Sequence, residues 1–317
     1  MVALKIIDRD EVFRVFSMQE CISVMKQALV DTVQKKSVQY LRKAIFLPDS
    51  KILGFMPAYL DERYFGAKII TVFKSNLGTE FPSHQGYVML FDSAHGSSLA
   101  LVDGYAITKI RTGAVSAVAT DLLARKDASC FAFLGAGEQA RSHLEAFNLV
   151  RNIEELRVYD VNADYAKAYA EEVKEKYDIP IKIASSARDA VTGADVITTI
   201  TTSHEPLIEL ADVKAGAHIN AVGACTPRES EIAPELVAAS KFFGDNRESV
   251  FNESGDFLNP LKTGLIGESH YLGDLGALLS GEITGRSSED EITLFEALGL
   301  AVEDVAAARF IYEKHNA

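Results

Sequence analysis

The chain has 317 residues, 48% hydrophobic and 24% charged, the balance expected of a globular protein with room for two cored domains. A formal net charge of −13 argues against nucleic-acid and anionic-membrane partners, since counterion release needs clustered Lys and Arg. No apolar run approaches the ~18 residues of a membrane span, and the opening MVALKIIDRDEVFRVF meets charge too early for a secretory leader.

Three widely separated cysteines, Cys21, Cys130 and Cys225, fit reduced thiols in a cytoplasm. No histidine or cysteine spacing suggests a metal site, and neither GxSxG nor a P-loop occurs.

In chain order, residues 17–36 predict a helix. Ser17 can cap it, Glu20 completes a capping box, and Ile22, Met25, Ala28 and Leu29 recur at helical spacing. The runs LRKAIFLP, ILGFMPAYL, YFGAKIITVF and YVMLFDS read as strands joined by tight turns. DGYAITKIRTGAVSAVATDLLAR predicts a helix from Ala114 to Leu123, starting near Arg111 and Thr112. From Ala128 strands alternate with helices: SCFAFLG, EQARSHLEAFNLV, LRVYD, ADYAKAYAEEVKEKY, IKIA, ARDAVTGA, DVITTIT, HINAVGA and KFFGDN. That alternation predicts a parallel sheet. Val302, Val305, Ala306 and Arg309 space as one face of a last helix, expected to pack back across the domain junction.

GAGEQA at 135–140 follows an apolar strand and opens a helix. Gly135 permits a tight turn, Gly137 lets a pyrophosphate approach the backbone, and Ala140 allows close helix–strand packing. Asp160 ends the next strand, 23 residues after Gly137, close to the ~20-residue interval of a ribose-binding acid. The alternative is an ordinary strand–helix turn with a capping Asp. The four features together favour a Rossmann-type dinucleotide site, and Asp160, with no cation at Val161 or Asn162, favours NAD over NADP.

Ahead of this domain Arg42, Lys68 and Arg111 each stand among apolar neighbours, in YLRKAIF, FGAKIIT and ITKIRTG. One such residue is as readily a snorkelling cation. Three suggest a pocket for a carboxylate, with Lys68 also able to move a proton if burial lowers its pKa.

These stretches, with PSHQGYVMLFDS, LGAGEQA, VYDVN, INAVGACTP, GDLGALLSGEITGR and DEITLFEALGLAVEDVAAA, resemble the ornithine cyclodeaminase/μ-crystallin family over nearly the whole chain. The resemblance implies an α/β fold: a Rossmann-type parallel-sheet nucleotide domain over 121–289, plus an α+β substrate and dimerisation domain over 1–120 completed by 290–317. It implies that Arg42, Lys68 and Arg111 hold the substrate α-carboxylate and that Leu298 touches substrate. Ser83, Arg111 and Thr112 match positions near the nicotinamide and phosphates. Glu138 and Gln139 match the phosphate turn, Asp160 the ribose acid, and Thr201 a cofactor contact. Ile219, Asn220, Ala221 and Val222 match the segment beneath the nicotinamide. A homodimer is implied as well.

The chain departs from the cyclodeaminases at Cys225, where they carry an Asp that engages the side-chain amine. A thiol with an ordinary pKa of ~8.5 replaces that anion poorly, although Glu229 or Glu231 is near enough in sequence to substitute for it. The expected activity is therefore NAD-dependent oxidoreduction of an amino or imino acid, of alanine dehydrogenase or ketimine reductase type, with Lys68 as the catalytic proton carrier. The alternatives are an ornithine or lysine cyclodeaminase, which uses NAD catalytically and releases ammonia, and a nucleotide-dependent small-ligand-binding protein.

Overall fold

The computed structural model describes residues 3–49, 51–76 and 78–316. It divides into two units, Met1–Ala114 with Gly299–Ala317, and Val115–Leu298.

The first unit runs β1 (Lys5–Ile7), α1 (Arg9–Val15), α2 (Met18–Val33), β2 (Val38–Gln39), β3 (Lys43–Leu47), β4 (Lys51–Tyr59), β5 (Tyr64–Val72), β6 (His84–Asp92), β7 (Ser98–Asp103) and the start of α3 (Gly104–Leu123). α2 begins as its capping box predicts, with Glu20 Oε2 accepting from the Ser17 N–H at 3.0 Å. The strands form one sheet in the order β1-β7-β6-β5-β4-β2, with β3 paired to β4. All its pairings are antiparallel except β1 with β7.

Strand alternation gives this sheet two unlike faces. Met56, Lys68, Ile70, Val88 and Leu90 are buried on one. Ile45, Phe55, Ile69 and Tyr87 lie on the other and are exposed.

α3 starts well before Arg111 and Thr112, which corrects the expected helix boundary. Asp103 Oδ1 accepts the Ala106 N–H at 2.7 Å and acts as the cap. Arg111 and Thr112 therefore lie mid-helix, with their backbone N–H groups inside the helical ladder. Periodicity missed this start because the stretch is apolar nearly all round: Ala106, Ile107 and Ile110 are buried as well.

The second unit runs β8 (Cys130–Leu134), α4 (Glu138–Phe147), β9 (Glu155–Tyr159), α5 (Ala163–Lys176), β10 (Ile181–Ile183), α6 (Ala187–Val191), β11 (Val196–Thr199), β12 (His218–Ala221), α7 (Pro234–Ala239), β13 (Lys241–Gly244), α8 (Arg247–Glu253), α9 (Gly255–Lys262), β14 (Tyr271–Asp274), α10 (Leu275–Ser280) and β15 (Thr293–Glu296). Every pairing is parallel, in the order β10-β9-β8-β11-β12-β15-β13-β14. The first five strands follow the 3-2-1-4-5 order of a Rossmann fold, so the order reverses beside β8. The fold is α/β. The central strands are buried on both faces, as a parallel sheet requires: Ala132, Leu134, Ile197 and Ile219 enter one core, and Phe131 and Phe133 face the Phe147 and Tyr169 rings.

The chain then returns to the first unit as α11 (Ala301–His315), packed on α2 and on β4, β5 and β6.

Candidate active site

In the second unit, Gly135 leaves β8 with φ +104°, and a Cβ there would lie 2.7 Å from the Ile200 carbonyl oxygen. Only glycine fits that turn. Gly137 has ordinary φ but is the N-cap of α4, and a Cβ would meet nothing within 4 Å. The turn thus leaves open space in front of a ten-residue helix N-terminus, which fits a dinucleotide pyrophosphate. Ala140 is fully buried, and its carbonyl accepts from the Tyr169 hydroxyl at 3.1 Å.

Asp160 closes this turn from β9. Its Oδ2 accepts the Ala136 N–H at 2.8 Å and its Oδ1 the Asn162 N–H at 2.8 Å. It therefore does what a capping Asp does, and each carboxylate oxygen keeps a lone pair for a ribose hydroxyl. Glu138 is exposed at the first turn of α4, while the Gln139 carbonyl contacts His143 Nδ1 at 2.7 Å.

Thr201 follows β11, and its backbone N–H and hydroxyl both donate to Glu231 Oε1, at 2.8 and 2.6 Å. Glu231 Oε2 accepts the Gly223 N–H at 2.8 Å. One fully buried carboxylate thus ties together the loops that leave β11 and β12, and burial raises its pKa above the usual range. Its commitment to these three donors leaves it poorly placed to replace an acid at position 225. The Cys225 thiol contacts the Val222 carbonyl at 3.5 Å, and Glu229 Oε2 accepts from Thr226 Oγ1 at 3.1 Å.

Ile219, Asn220, Ala221 and Val222 are all buried. The Asn220 amide donates to Thr120 Oγ1 at 3.0 Å and lies 3.3 Å from His218 Nε2, so this side chain is tied into the interior. Burial, with the nearby Arg286 charge, lowers the His218 pKa to about 3, which keeps the ring neutral in that network. The Leu298 side chain is packed in the same unit's core, and its N–H donates to Asp245 Oδ2 at 2.7 Å.

In the first unit two of the three cations flagged by their apolar settings, Lys68 and Arg111, share one carboxylate, and Arg42 bonds to the backbone just ahead of the same helix. Lys68, on β5, is 2% exposed, and its Nζ lies 2.6 Å from Asp304 Oδ2. Arg111, on α3, places Nε 3.3 Å from Asp304 Oδ1 and Nη1 3.4 Å from Glu303 Oε2. Arg42 donates from Nη2 to the Gly299 carbonyl at 3.1 Å. Burial lowers the Lys68 pKa to about 8, against the pull of Asp304 and with the push of Arg111 and Arg42. Thr112 donates back to the Thr108 carbonyl at 2.7 Å. Ser83 Oγ lies 3.0 Å from His84 Nδ1, and burial plus the charges of Lys68, Arg111 and Lys74 hold His84 near 4, neutral at neutral pH.

The sequence offered Glu231 only as a substitute for the acid at position 225, and Glu303 and Asp304 were missed as site-building residues. Glu303 and Asp304 sit where acids are ordinary, in the first turn of a helix. The available signal was the one that exposed the cations: two acids inside an apolar run, GLAVEDVAAA, both fully buried in the fold.

A model of the ornithine cyclodeaminase/mu-crystallin family matches residues 4–317. The chain belongs to that family. It is 39% identical over 262 residues to a ketimine reductase mu-crystallin of Mus musculus, covering 82% of this chain and 80% of that one. Among solved structures it resembles the Thermococcus litoralis Δ1-pyrroline-2-carboxylate reductase in complex with NADH and L-proline, at 37% identity and TM-score 0.96, over 99% of this chain and 98% of that one. It also resembles an archaeal alanine dehydrogenase dimer with bound NAD, at 30% identity and TM-score 0.93, over 99% of this chain and 96% of that one.

Proposed function

We propose that this protein is an NAD-dependent reductase of α-imino acids, acting on the C=N bond of a small imine that carries a carboxylate beside it. The observation that carries the reading is the cation group of the first unit. Lys68 and Arg111 are buried on a shared carboxylate, and Arg42 is anchored by the same chain segment. Such a group recognises a substrate carboxylate by bidentate and point-charge contacts.

The residues of the second unit suit NAD. Gly135, Gly137, Glu138 and Gln139 form the phosphate turn, Asp160 offers acceptors to the ribose, and no cation at Val161 or Asn162 would receive a 2′-phosphate. Thr201 and the Ile219–Val222 backbone serve the nicotinamide end. When bound, the cofactor supplies the hydride that adds to the imine carbon. Lys68 donates the proton to nitrogen. With its pKa lowered to about 8, its ammonium is both populated and acidic enough to give up a proton near neutral pH. Cys225, with Glu231 committed elsewhere, favours net reduction over cyclodeamination, which needs a carboxylate for the second amine.

In this reading the first unit, Met1–Ala114 with Gly299–Ala317, is the substrate and dimerisation half, and Val115–Leu298, which includes β15, is the nucleotide half. The homodimer forms through the exposed apolar face of the first sheet. A reducing cytoplasm suits three cysteines that form no disulfide.

The test is an NADH absorbance assay with Δ1-pyrroline- and Δ1-piperideine-2-carboxylates, alongside L-alanine, L-ornithine and L-lysine, with ammonia measured in parallel. NADH oxidation by the cyclic imines is expected, with kcat/KM falling above about pH 8 as Lys68 loses its proton. Lys68→Met should cost on the order of 10²–10⁴-fold in kcat while NADH still binds. Ammonia release from ornithine without net NADH change would overturn the reading in favour of cyclodeamination. NADH binding with no turnover of any substrate would favour a ligand-binding role.

A further inference from the structure

Asp304 lies in the first turn of α11, is fully buried, and divides its carboxylate between cations that arrive on two other elements. Oδ2 stands 2.6 Å from Lys68 Nζ of β5, and Oδ1 stands 3.3 Å from Arg111 Nε of α3. The adjacent Glu303 is placed differently. Its Oε2 accepts the Leu300 N–H at 3.1 Å, capping the helix, and meets Arg111 only at 3.4 Å.

We propose that Asp304 is the positioning residue of the imine reduction, clamping the Lys68 ammonium and the Arg111 guanidinium at a fixed separation so that both meet one substrate carboxylate. The proposal rests on the imine-reductase reading. Lys has three N–H donors and Arg five, so each group can serve more than one carboxylate. A lysine side chain alone carries ~2 kcal/mol of rotamer entropy, and the shared acid removes that freedom before substrate arrives. Stability alone gives little reason for such a buried arrangement, since well-packed apolar residues commonly do as well or better.

Asp304 has a second effect through Lys68. Burial, Arg111 and Arg42 push the ammonium toward the neutral amine, and Asp304, 2.6 Å away, opposes them. Glu303 pulls the same way as Asp304, so removing the Asp304 charge weakens that opposition and the Lys68 midpoint falls.

The experiment compares the full-length wild type with Asp304→Asn, each saturated with NADH. The Lys68 amine is followed by nitrogen-15 NMR, its signal assigned by its absence in Lys68→Met, and pH–rate profiles are measured with Δ1-pyrroline-2-carboxylate. In Asp304→Asn the Lys68 midpoint should fall by about one unit or more. The basic limb of kcat/KM should fall with it, KM for the imino acid should rise at least about tenfold, and NADH affinity should hold. An unmoved midpoint, or a moved midpoint with an unchanged limb and KM, overturns the proposal. Should Asp304→Asn fail to fold, Asp304→Glu serves instead. It retains the charge and should keep the wild-type midpoint, and a midpoint lowered by about a unit would overturn the electrostatic argument. A wild type that turns over no imine removes the functional reading, whereas the titration still decides whether Asp304 governs Lys68.

Discussion

Gly299 immediately precedes the last helix with φ +81°, and a Cβ there would lie 2.7 Å from Arg111 Nη2. Both facts demand glycine: an L-residue disfavours the left-handed region, and the added methyl group would displace a guanidinium fixed by Glu303 and Asp304. Gly299→Ala is expected to raise KM for the imino acid, by up to about 10²-fold if Arg111 moves by an ångström, with NADH affinity unchanged. Steady-state kinetics beside NADH fluorescence titration check this, and wild-type KM would show that Arg111 does not depend on the glycine. The cations at this scale were legible because Lys and Arg stand out in YLRKAIF, FGAKIIT and ITKIRTG. Their acids were not, because Glu and Asp in a first helical turn are ordinary.

The strand–turn–helix of β8 and α4 is held by Asp160 from the end of β9, through the Ala136 and Asn162 N–H groups. Its carboxylate therefore has two tasks, shaping the phosphate turn and meeting the ribose. Asp160→Ala is expected to lower NAD affinity by roughly 10–100-fold, the worth of charged hydrogen bonds at 1.5–3 kcal/mol, and to narrow the preference for NAD over NADP. The thermal midpoint should fall as well, since a backbone anchor is lost. Calorimetric titration with both cofactors, beside a melting curve, separates the tasks: a lower melting point with unchanged affinity would leave Asp160 only the structural one. The start of α3 shows the opposite kind of legibility. Asp103 fixes it at Gly104, but the helix is buried on too many sides to show an amphipathic stripe, so spacing alone placed its start several residues late.

The first sheet buries Lys68, Ile70, Val88 and Leu90 on one face and leaves Phe55, Ile69 and Tyr87 on the other at 44%, 47% and 44% exposure. A multi-strand apolar face of this kind marks an interaction surface. With the dimeric alanine dehydrogenase among its structural relatives, a second copy of the chain is the partner we expect. The wild type should sediment as a dimer, and Ile69→Asp combined with Phe55→Asp should give monomers with the second unit still able to bind NADH. A monomeric wild type at micromolar concentration would remove the homodimer from the account. Among the described residues no helix is long and apolar enough to cross a membrane.

The sequence by itself determined the local and periodic features: the capping box of α2, the alternation of short strands and helices after Ala128, the glycine turn with its distant Asp, and the cations set among apolar neighbours. Each depends on contacts within a few residues, or on a spacing set by backbone geometry. The tertiary structure decided what those residues meet. β15, the last strand in sequence, enters the parallel sheet between β12 and β13, Glu231 ties two loops together, and Asp304 comes from the far end of the chain to join Lys68 to Arg111. Such pairings depend on side chains brought together from distant parts of the chain, and no local pattern in the sequence encodes which buried charge will find which partner.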